Sequence, residues 1–284
     1  MPPNQVFITG IPRCGSSWVG EVLGSSANAR YVYEPFNFQW VPALRGHLRH
    51  FKYLGDQSEA PAILQTIAND AFRGRQNFKQ ISRAIYRGYL KSACQEARWI
   101  VVKDPTAALM TAWIAARFQA KVLIVTRHPC GFASSLESMD ARLNVNALLR
   151  QEELMQHHLE PFRDTMNQAR KDKWLTRGAI WGAIHTVFMN QLGEHTDWNV
   201  CKYEDLCIDP ARQFLDLTKT LGLETSQVTL KKIRGLNKPG DNDAGSTRRE
   251  SAVMPKIWHK RMSPGEIDAV KGMVQAFGLE IYKD

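Results

Sequence analysis

The sequence predicts an α/β fold in which helices flank a central, mainly parallel sheet on both faces. Short apolar runs typical of strands alternate with amphipathic helical stretches along the chain, which is the pattern of βαβ units. The run within residues 121–129 is continuously apolar, as expected for a strand covered on both faces. A chain of 284 residues suits one large domain. We expect a single domain over residues 1–284, with helical, substrate-shaping insertions at about 41–95 and 138–195.

The chain begins with a strand, a tight turn and a helix. Residues 6–8 are β-branched or aromatic, residues 10–15 are rich in turn formers, and Ser16 opens an apolar-periodic segment. These three features predict the first strand, a short loop and the first helix.

The next two strands carry charged residues at their carboxyl ends. A strand from residue 29 runs into Glu34, and a buried strand over residues 98–103 ends in Lys103 and Asp104. In an open parallel sheet the carboxyl ends of the strands form the ligand crevice, so these groups are well placed for chemistry. The alternative for Glu34 is a solvated loop carboxylate, which is the commoner fate of a lone glutamate.

The fourth strand ends in Arg127 and leads into a helix that carries Ser134 and Ser135 in its early turns, repeating the opening pattern. A fifth strand is predicted over residues 198–203. Residues 237–251 are predicted to form a loop.

Helices fill the intervals between strands. Asp209 and Pro210 mark one helix start as N-cap and first residue, and Ser263 with Glu266 forms a capping box at another. Helical stretches are predicted at residues 60–72, 80–94, 107–117, 130–136, 174–192, 210–221 and from 263 to before 278.

The first turn has the spacing of a phosphate-binding loop. Gly10-x4-Gly15-Ser16-Ser17 matches the Gly-rich phosphate loop except that Ser16 stands where nucleotide triphosphatases carry a lysine. Backbone N–H groups at a helix N-terminus still form an anion site, and Arg13 offers a cation from another side. This predicts a P-loop-like three-layer fold. The alternative is an ordinary strand-to-helix turn whose glycines serve only a positive φ.

Composition excludes several classes of protein. The five cysteines are scattered without a CxxC pair, which argues against a disulfide framework or a zinc site, and we expect no metal. Cys14, beside a helix N-terminus that lowers thiol pKa values, is a conceivable nucleophile, but no His or Asp partner pattern accompanies it. No run approaches the length of a membrane span and no signal segment is visible, so we expect a soluble, cytoplasmic protein.

The net charge of +9 admits nucleic acid, an acidic membrane surface or a polyanionic small ligand. No nucleic-acid-binding motif accompanies this charge, and we expect no nucleic acid partner. An anionic cofactor together with an anionic substrate accounts for the same charge at least as well.

Four separated blocks resemble those of the sulfotransferases that use 3′-phosphoadenosine 5′-phosphosulfate (PAPS), most closely the carbohydrate branch of GlcNAc and Gal 6-O-type enzymes. The blocks are residues 11–17, residues 125–135, residues 202–206 and residues 249–258. They are similar, in this order, to the 5′-phosphosulfate loop, the 3′-phosphate block, the Tyr-Glu-Asp-Leu block and the C-terminal Arg-x-Ser and Trp block. The resemblance covers most of the chain.

The resemblance implies a set of residues that bind the donor and its product, 3′-phosphoadenosine 5′-phosphate (PAP). They are Arg13, Cys14, Gly15, Ser16, Ser17, Trp18, Arg127, Ser135, Tyr203, Arg249 and Ser251. Arg127 and Arg249 would grip the 3′-phosphate bidentately, while Ser135 and Ser251 donate to its remaining oxygens. Trp18 aligns with a position that stacks on adenine in some members; its alternative is a core residue, as it is for Tyr203.

Sulfuryl transfer requires a base for the acceptor hydroxyl and cations for the leaving group. The resemblance places the base on Glu34, provided that burial raises its pKa toward the working pH. Arg13 would stabilise the leaving phosphosulfate, and Lys103 would contact the transferring group. The small-molecule branch has a histidine base in a Lys-Thr-His site where this chain has Lys103, Asp104 and Pro105, so Asp104 is the second candidate base.

The expected acceptor is a hydroxyl of a sugar or glycoconjugate, and the alternative is a lipid or a small natural-product alcohol. A P-loop kinase would require a lysine at position 16, which is Ser16 here, and a non-catalytic nucleic-acid binder is supported only by the charge. The Golgi relatives carry a membrane anchor that this sequence lacks, which favours a cytoplasmic enzyme of bacterial type.

Overall fold

The computed structural model describes residues 4–46, 48, 51–235 and 251–282. It contains one five-stranded sheet in the order β2-β3-β1-β4-β5, and every pair of neighbouring strands is parallel. The strands are β1 Asn4–Thr9, β2 Ala29–Tyr33, β3 Trp99–Lys103, β4 Lys121–Thr126 and β5 Asn199–Lys202. The predicted α/β fold with a central parallel sheet is confirmed.

Helices cover both faces of the sheet. The α-helices are α1 Ser16–Leu23, α2 Ala62–Phe72, α3 Phe78–Tyr86, α4 Leu90–Cys94, α5 Thr111–Phe118, α6 Pro129–Glu137, α7 Asn146–Leu149, α8 Glu152–Leu154, α9 Arg163–Gln168, α10 Lys173–Glu194, α11 Tyr203–Ile208, α12 Pro210–Leu221, α13 Gln227–Gly235 and α14 Pro264–Gln275. Shorter 3-10 or π-helical segments lie at Pro42–Leu44, Pro105–Met110, Met155–Leu159, Glu160–Phe162, Ala169–Lys171 and Ser251–Lys260. Among these elements no helix has the length and apolar content needed to cross a bilayer.

The core lies in two layers, one on each side of the sheet. Alternate residues of β1 point to opposite faces: Val6 and Ile8 pack with α1 and α10, whereas Phe7 packs with α2 and α5. All three side chains are fully buried. The central strand is therefore apolar on both faces, which is the reason it reads as an uninterrupted hydrophobic run.

Helix starts follow the predicted capping chemistry, while one helical stretch differs from its prediction. Asp209 caps α12 with Pro210 as its first residue, and the Ser263 capping box at α14 is present. The stretch predicted as one helix at 80–94 is instead α3 and α4, because Gly88 adopts a φ of 72° between them. The predicted loop at 237–251 lies outside the described residues except for its last residue.

The register of the sheet brings the charged strand ends together. Lys103 at the end of β3 pairs with Ile8 of β1 and with Tyr33 of β2. Glu34 follows β2 directly, and its backbone N–H donates to the Lys103 carbonyl at 2.8 Å. The groups that follow three adjacent strands therefore meet at one edge of the sheet.

Gly10 ends β1 at a point where the backbone of β4 lies very close. Its φ is 146°, and a Cβ built on it would lie 2.1 Å from the Val125 carbonyl oxygen. Both the dihedral angle and the space exclude a side chain.

We predict that Gly10→Ala lowers the free energy of unfolding by about 2–5 kcal/mol, because it combines backbone strain with a clash against a buried backbone oxygen. The measurement is urea denaturation of the two proteins. The matched control is Gly272→Ala in α14, where a Cβ would meet no atom within 4 Å, and which should be neutral or stabilising by up to about 1 kcal/mol. Equal stability of Gly10→Ala and wild type would refute this account of the turn.

Candidate active site at the carboxyl edge of the sheet

The turn between β1 and α1 is shaped for an anion. Arg13 and Gly15 both have positive φ values, 74° and 97°, and α1 starts after Gly15 with no side chain capping its N-terminus and no acidic residue in its first turn. The first N–H groups of an uncapped helix form an anion site. A Cβ on Gly15 would lie 2.5 Å from Tyr203 Cδ2, so the turn requires glycine there.

The turn after β4 is joined to this first turn by two arginines. Arg127 Nη1 donates to the Arg13 carbonyl at 3.0 Å, and Arg13 Nε donates to Ser135 Oγ at 3.0 Å. The Arg127 guanidinium also lies 4.6 Å from the centre of the Tyr203 ring. Arg127 is buried, and in the part of the chain that the structure describes it forms no ion pair with a carboxylate. A buried cation of this kind is suited to an anionic ligand.

A buried ion pair lies beside the first turn. Lys103 Nζ donates to Glu34 Oε1 at 2.5 Å and to Ser17 Oγ at 3.0 Å, and lies 3.9 Å from the centre of the Tyr33 ring. Lys103 is fully buried, and Glu34 is 7% exposed. The structure thus brings together Lys103 at the end of β3, Glu34 directly after β2 and Ser17 in the first turn of α1.

The other oxygen of Glu34 is held by two nearby side chains. Asn37 Nδ2 donates to Oε2 at 2.8 Å, and Trp40 Nε1 donates to the same oxygen at 3.0 Å. The guanidinium of Arg83 lies over the rings of Tyr33 and Trp40, at 4.4 and 4.7 Å from their centres. These partners of Glu34 were not predicted; the alternation of aromatic and amide residues over 36–40 is the only sequence signal that could have indicated them.

The condition set for Glu34 as base, a pKa raised by burial, is not met in this arrangement. Burial does act in that direction, but the charge of Lys103 and the hydrogen bonds from Lys103 and Asn37 outweigh it and hold the pKa of Glu34 below its usual value. Glu34 is therefore ionised at neutral pH in this arrangement.

Asp104 faces a different group of donors. Its Oδ1 accepts from the backbone N–H and the hydroxyl of Thr106 at 2.8 and 2.6 Å, and its Oδ2 accepts from the Phe36 N–H at 2.6 Å. The side chain is fully buried. Burial and the charge of Glu34 raise the pKa of Asp104 to about 7. Asp104 thus caps the helical turn after β3 and fixes the loop after Glu34.

The remaining residues of the predicted donor site divide into groups. Trp18 makes edge contacts with the rings of Tyr203 and Phe214, with centres 6.1 and 5.1 Å apart, and its buried Nε1 has no hydrogen-bond partner among the residues that the structure describes. Cys14 is fully buried, and burial raises the pKa of its thiol, so the idea of a nucleophile activated by a lowered pKa is wrong. Ser16 is buried at the start of α1.

The C-terminal block is described only in part. Arg249 and the side chain of Ser251 lie outside the described residues. Trp258 stacks on His128 in the turn after β4, with ring centres 4.7 Å apart and planes 3° from parallel. This contact places the end of the block next to the Arg127 turn. The described residues contain no group of three His, Cys, Asp or Glu side chains placed to hold a metal ion.

Comparison with known proteins identifies related sequences and folds. A family model described as "Sulfotransferase family" matches residues 3–227 of the 284, and no curated protein matches the sequence. Among solved structures, the chain is similar to a sulfotransferase domain from the curacin biosynthetic pathway, with 15% identity, 99% of each chain covered and a TM-score of 0.49. It is also similar to a sulfotransferase domain from the Synechococcus PCC 7002 olefin synthase, with 16% identity, 99% of this chain and 96% of that chain covered and a TM-score of 0.46. A third is mouse sulfotransferase SULT7A1 complexed with PAP, with 12% identity, 95% and 82% covered and a TM-score of 0.46.

We predict that Lys103 and Glu34 are strongly coupled in stability. Lys103→Met leaves the Glu34 carboxylate buried without its cation and should cost about 3–5 kcal/mol, whereas Lys103→Met combined with Glu34→Gln removes both charges of the pair and should recover much of that loss. A double-mutant cycle in urea measures the coupling. The control cycle uses the exposed pair of Arg75 and Asp70, 3.0 Å apart, for which we expect coupling too small to resolve. Additive losses at Lys103 and Glu34 would contradict the prediction.

The same pair predicts a pH dependence. The folded state lowers the pKa of Glu34 from its reference value of 4.5. The contribution of ionised Glu34 to the free energy of unfolding is therefore fully present above pH 4.5, and it is lost as the pH falls through the lower folded-state pKa. The difference in stability between wild type and Glu34→Gln should therefore shrink below pH 4.5. A constant difference across this range would show that Glu34 is not stabilised in its ionised form.

Proposed function

This chain belongs to the sulfotransferase family, and from that premise we propose that it transfers a sulfuryl group from PAPS to a hydroxyl of a carbohydrate or glycoconjugate and releases PAP. The observation that carries the proposal is the cluster of Lys103, Glu34 and Ser17 beside an uncapped helix N-terminus. It puts a cation, a carboxylate and anion-binding N–H groups within one small volume.

We propose that the two joined turns hold the two anionic ends of the donor. The turn before α1, with Arg13, Ser16 and Ser17, is suited to the 5′-phosphosulfate because its N–H groups and hydroxyls are donors at a helix N-terminus. Arg127 and Ser135 are suited to the 3′-phosphate, since Arg127 is a buried cation without a carboxylate partner among the described residues. Arg249 and Ser251 remain proposed ligands of that same phosphate.

We propose that Glu34 takes the proton from the acceptor hydroxyl. In the present arrangement Lys103 weakens Glu34 as a base, because it lowers the pKa of that carboxyl group. Lys103 also contacts Ser17 in the phosphate turn, so an anionic group bound there competes with Glu34 for its charge. As Lys103 turns toward the transferring sulfuryl group, its charge stabilises the Glu34 carboxylate less, so the pKa of Glu34 rises and Glu34 becomes a stronger base. Arg13 stabilises the negative charge that develops on the leaving side.

Asp104 remains the alternative base, with the geometry favouring a positioning role. Its raised pKa would suit proton transfer, but the side chain is fully buried, and its hydrogen bonds with Thr106 and Phe36 hold the two loops after β2 and β3 in place. Glu34 keeps a small exposed fraction, 7%, and so is the better placed of the two to meet an acceptor.

The insertion at residues 41–95 supports an acceptor role for this region. It contributes Arg83, which lies over Tyr33 and Trp40 next to Glu34, and Gln80, which donates to the Tyr33 carbonyl at 2.7 Å. A sugar or glycoconjugate is the acceptor that we propose. A lipid alcohol is the second candidate, because the same insertion exposes large apolar side chains, Phe78 and Tyr86 among them.

We predict that PAP raises the melting temperature and that ATP with magnesium does not. A ligand that binds only the folded state stabilises it by about 2.7 kcal/mol at a hundredfold excess over Kd, which corresponds to a shift of roughly 5 °C for a chain of this size. Arg127→Gln should lose PAP affinity in calorimetry, whereas Arg212→Gln, at an exposed arginine of α12, should keep it. Stabilisation by ATP and not by PAP would overturn the proposed function.

We also predict that Glu34→Gln lowers the turnover number on the order of 10²–10⁴-fold, because the amide cannot accept a proton. The measurement is transfer of radiolabelled sulfate from PAPS to pooled sugar and lipid alcohols. PAP affinity should change little, since Glu34 lies outside the proposed phosphate contacts. The control is Glu59→Gln, at an exposed glutamate of the same insertion, which should be as active as wild type. Wild-type turnover by Glu34→Gln would move the role of base to Asp104 or another residue.

A further inference from the structure

Three of the large apolar residues of helix α3 face solvent. Its inner side buries Gln80 and Ala84, whereas Phe78 is 84% exposed, Ile85 61% and Tyr86 85%. A surface helix normally turns its apolar face to the core and its polar face to solvent. The large exposed side chains of α3 therefore lack a partner within the described chain.

This orientation is fixed by the inner side of the helix. Asn77 and Gln80 form a capping box at its start, and Gln80 also donates to the Tyr33 carbonyl at 2.7 Å. At the other end the Arg87 guanidinium pairs with Glu21 of α1 at 2.9 Å. The polar anchors leave the helix no freedom to turn its apolar side inward without breaking them.

The neighbouring helix extends the patch. Leu90 of α4 is 39% exposed, and Lys91 beside it is exposed, as is Lys79 on α3. We call Phe78, Ile85, Tyr86 and Leu90, together with Lys79 and Lys91, the α3 surface. Single exposed apolar residues are normal, but a cluster of this kind marks an interaction site.

The sequence of the α3 surface carries an excess of positive charge. Residues 71–95 include six arginines and lysines and no aspartate or glutamate. Arg75 pairs with Asp70, which directly precedes this segment, and Arg87 pairs with Glu21 of α1. Lys79 and Lys91 form no ion pair among the described residues. The surface is therefore apolar and cationic together.

We propose that the α3 surface docks the protein onto an anionic lipid surface. Aromatic and aliphatic side chains that enter the boundary between headgroups and acyl chains, with lysines that contact lipid phosphates, are the features of an interfacial helix. A nucleic acid would be matched by the lysines but not by Phe78 and Ile85, and a neutral protein partner would not require the absence of acidic residues. The lysines and the exposed aromatic and aliphatic side chains together favour an anionic bilayer.

The docking has a consequence that rests on the proposed function. Gln80 and Arg83 on the inner side of α3 contact Tyr33, the residue before Glu34. One helix therefore connects the lipid-facing side with the proposed base, and a glycoconjugate whose sugar is presented at a lipid surface is the form of the proposed acceptor that this arrangement favours.

The experiment is co-sedimentation of the full chain with vesicles of phosphatidylcholine alone and of phosphatidylcholine mixed with phosphatidylglycerol. We expect binding to the mixed vesicles only, weakening as salt is raised. Lys79→Gln with Lys91→Gln should weaken partitioning roughly 30-fold, and Phe78→Ser with Tyr86→Ser by at least about tenfold. The matched controls are Lys171→Gln with Lys219→Gln, and Ile208→Ser with Val228→Ser, at exposed residues elsewhere; these should bind as wild type does.

Three results would overturn the proposal: no binding to the mixed vesicles, equal binding to neutral vesicles, or equal losses in the control variants. A wild-type dimer in sedimentation velocity that the Phe78→Ser, Tyr86→Ser variant converts to monomer, without vesicle binding, would assign the surface to a second copy and also overturn it. Circular dichroism and the PAP-induced melting shift show that each variant is folded. Because the PAP shift does not involve α3, failure of lipid docking and failure of the sulfotransferase proposal are distinguished.

Discussion

A buried lysine and a nearly buried glutamate, facing each other across the carboxyl ends of two neighbouring strands, are the interaction on which the candidate site depends. Removing two charges from water is costly, and the cost is offset only when the remaining donors and acceptors are also paired. Here Lys103 reaches Ser17 and the face of Tyr33, while Glu34 accepts from Asn37 and Trp40. Each of these partners comes from a segment that the pair thereby fixes: the start of α1, the end of β2 and the loop that follows it.

The parallel register explains why these groups meet. Because Lys103 is level with Ile8 and Tyr33, the residues that follow β1, β2 and β3 share one edge of the sheet. This much could be predicted from the sequence, since apolar runs locate the strands and the residue after each run is at its carboxyl end. The helix starts at Asp209 and Ser263 could also be predicted from the sequence, because a cap depends only on residues that are close together in the chain.

The rest depends on contacts between distant segments. The direction of the pKa shift at Glu34 could not be predicted, because it is decided by which cation lies within hydrogen-bond distance, and Lys103 is 69 residues away. Asp104, adjacent in sequence to Lys103, turns toward Phe36 and Thr106 instead. The burial of Cys14 likewise follows from packing beneath the turn. The outward orientation of large apolar residues on α3 arises from Gln80 binding the β2 backbone, which no helical periodicity encodes.

The two contacts that join the turns after β1 and β4 also fix a length. Arg127 holds the Arg13 carbonyl, Arg13 holds Ser135, and a side chain on Gly10 or Gly15 would collide with the neighbouring segment. These contacts keep the distance between the two turns constant. A nucleotide with anionic groups at both ends would have to match that span, whereas one with a single anionic end would occupy only one of the two turns. Selection between such nucleotides would then be set by the distance between two loops, with the shape of the base as a secondary factor.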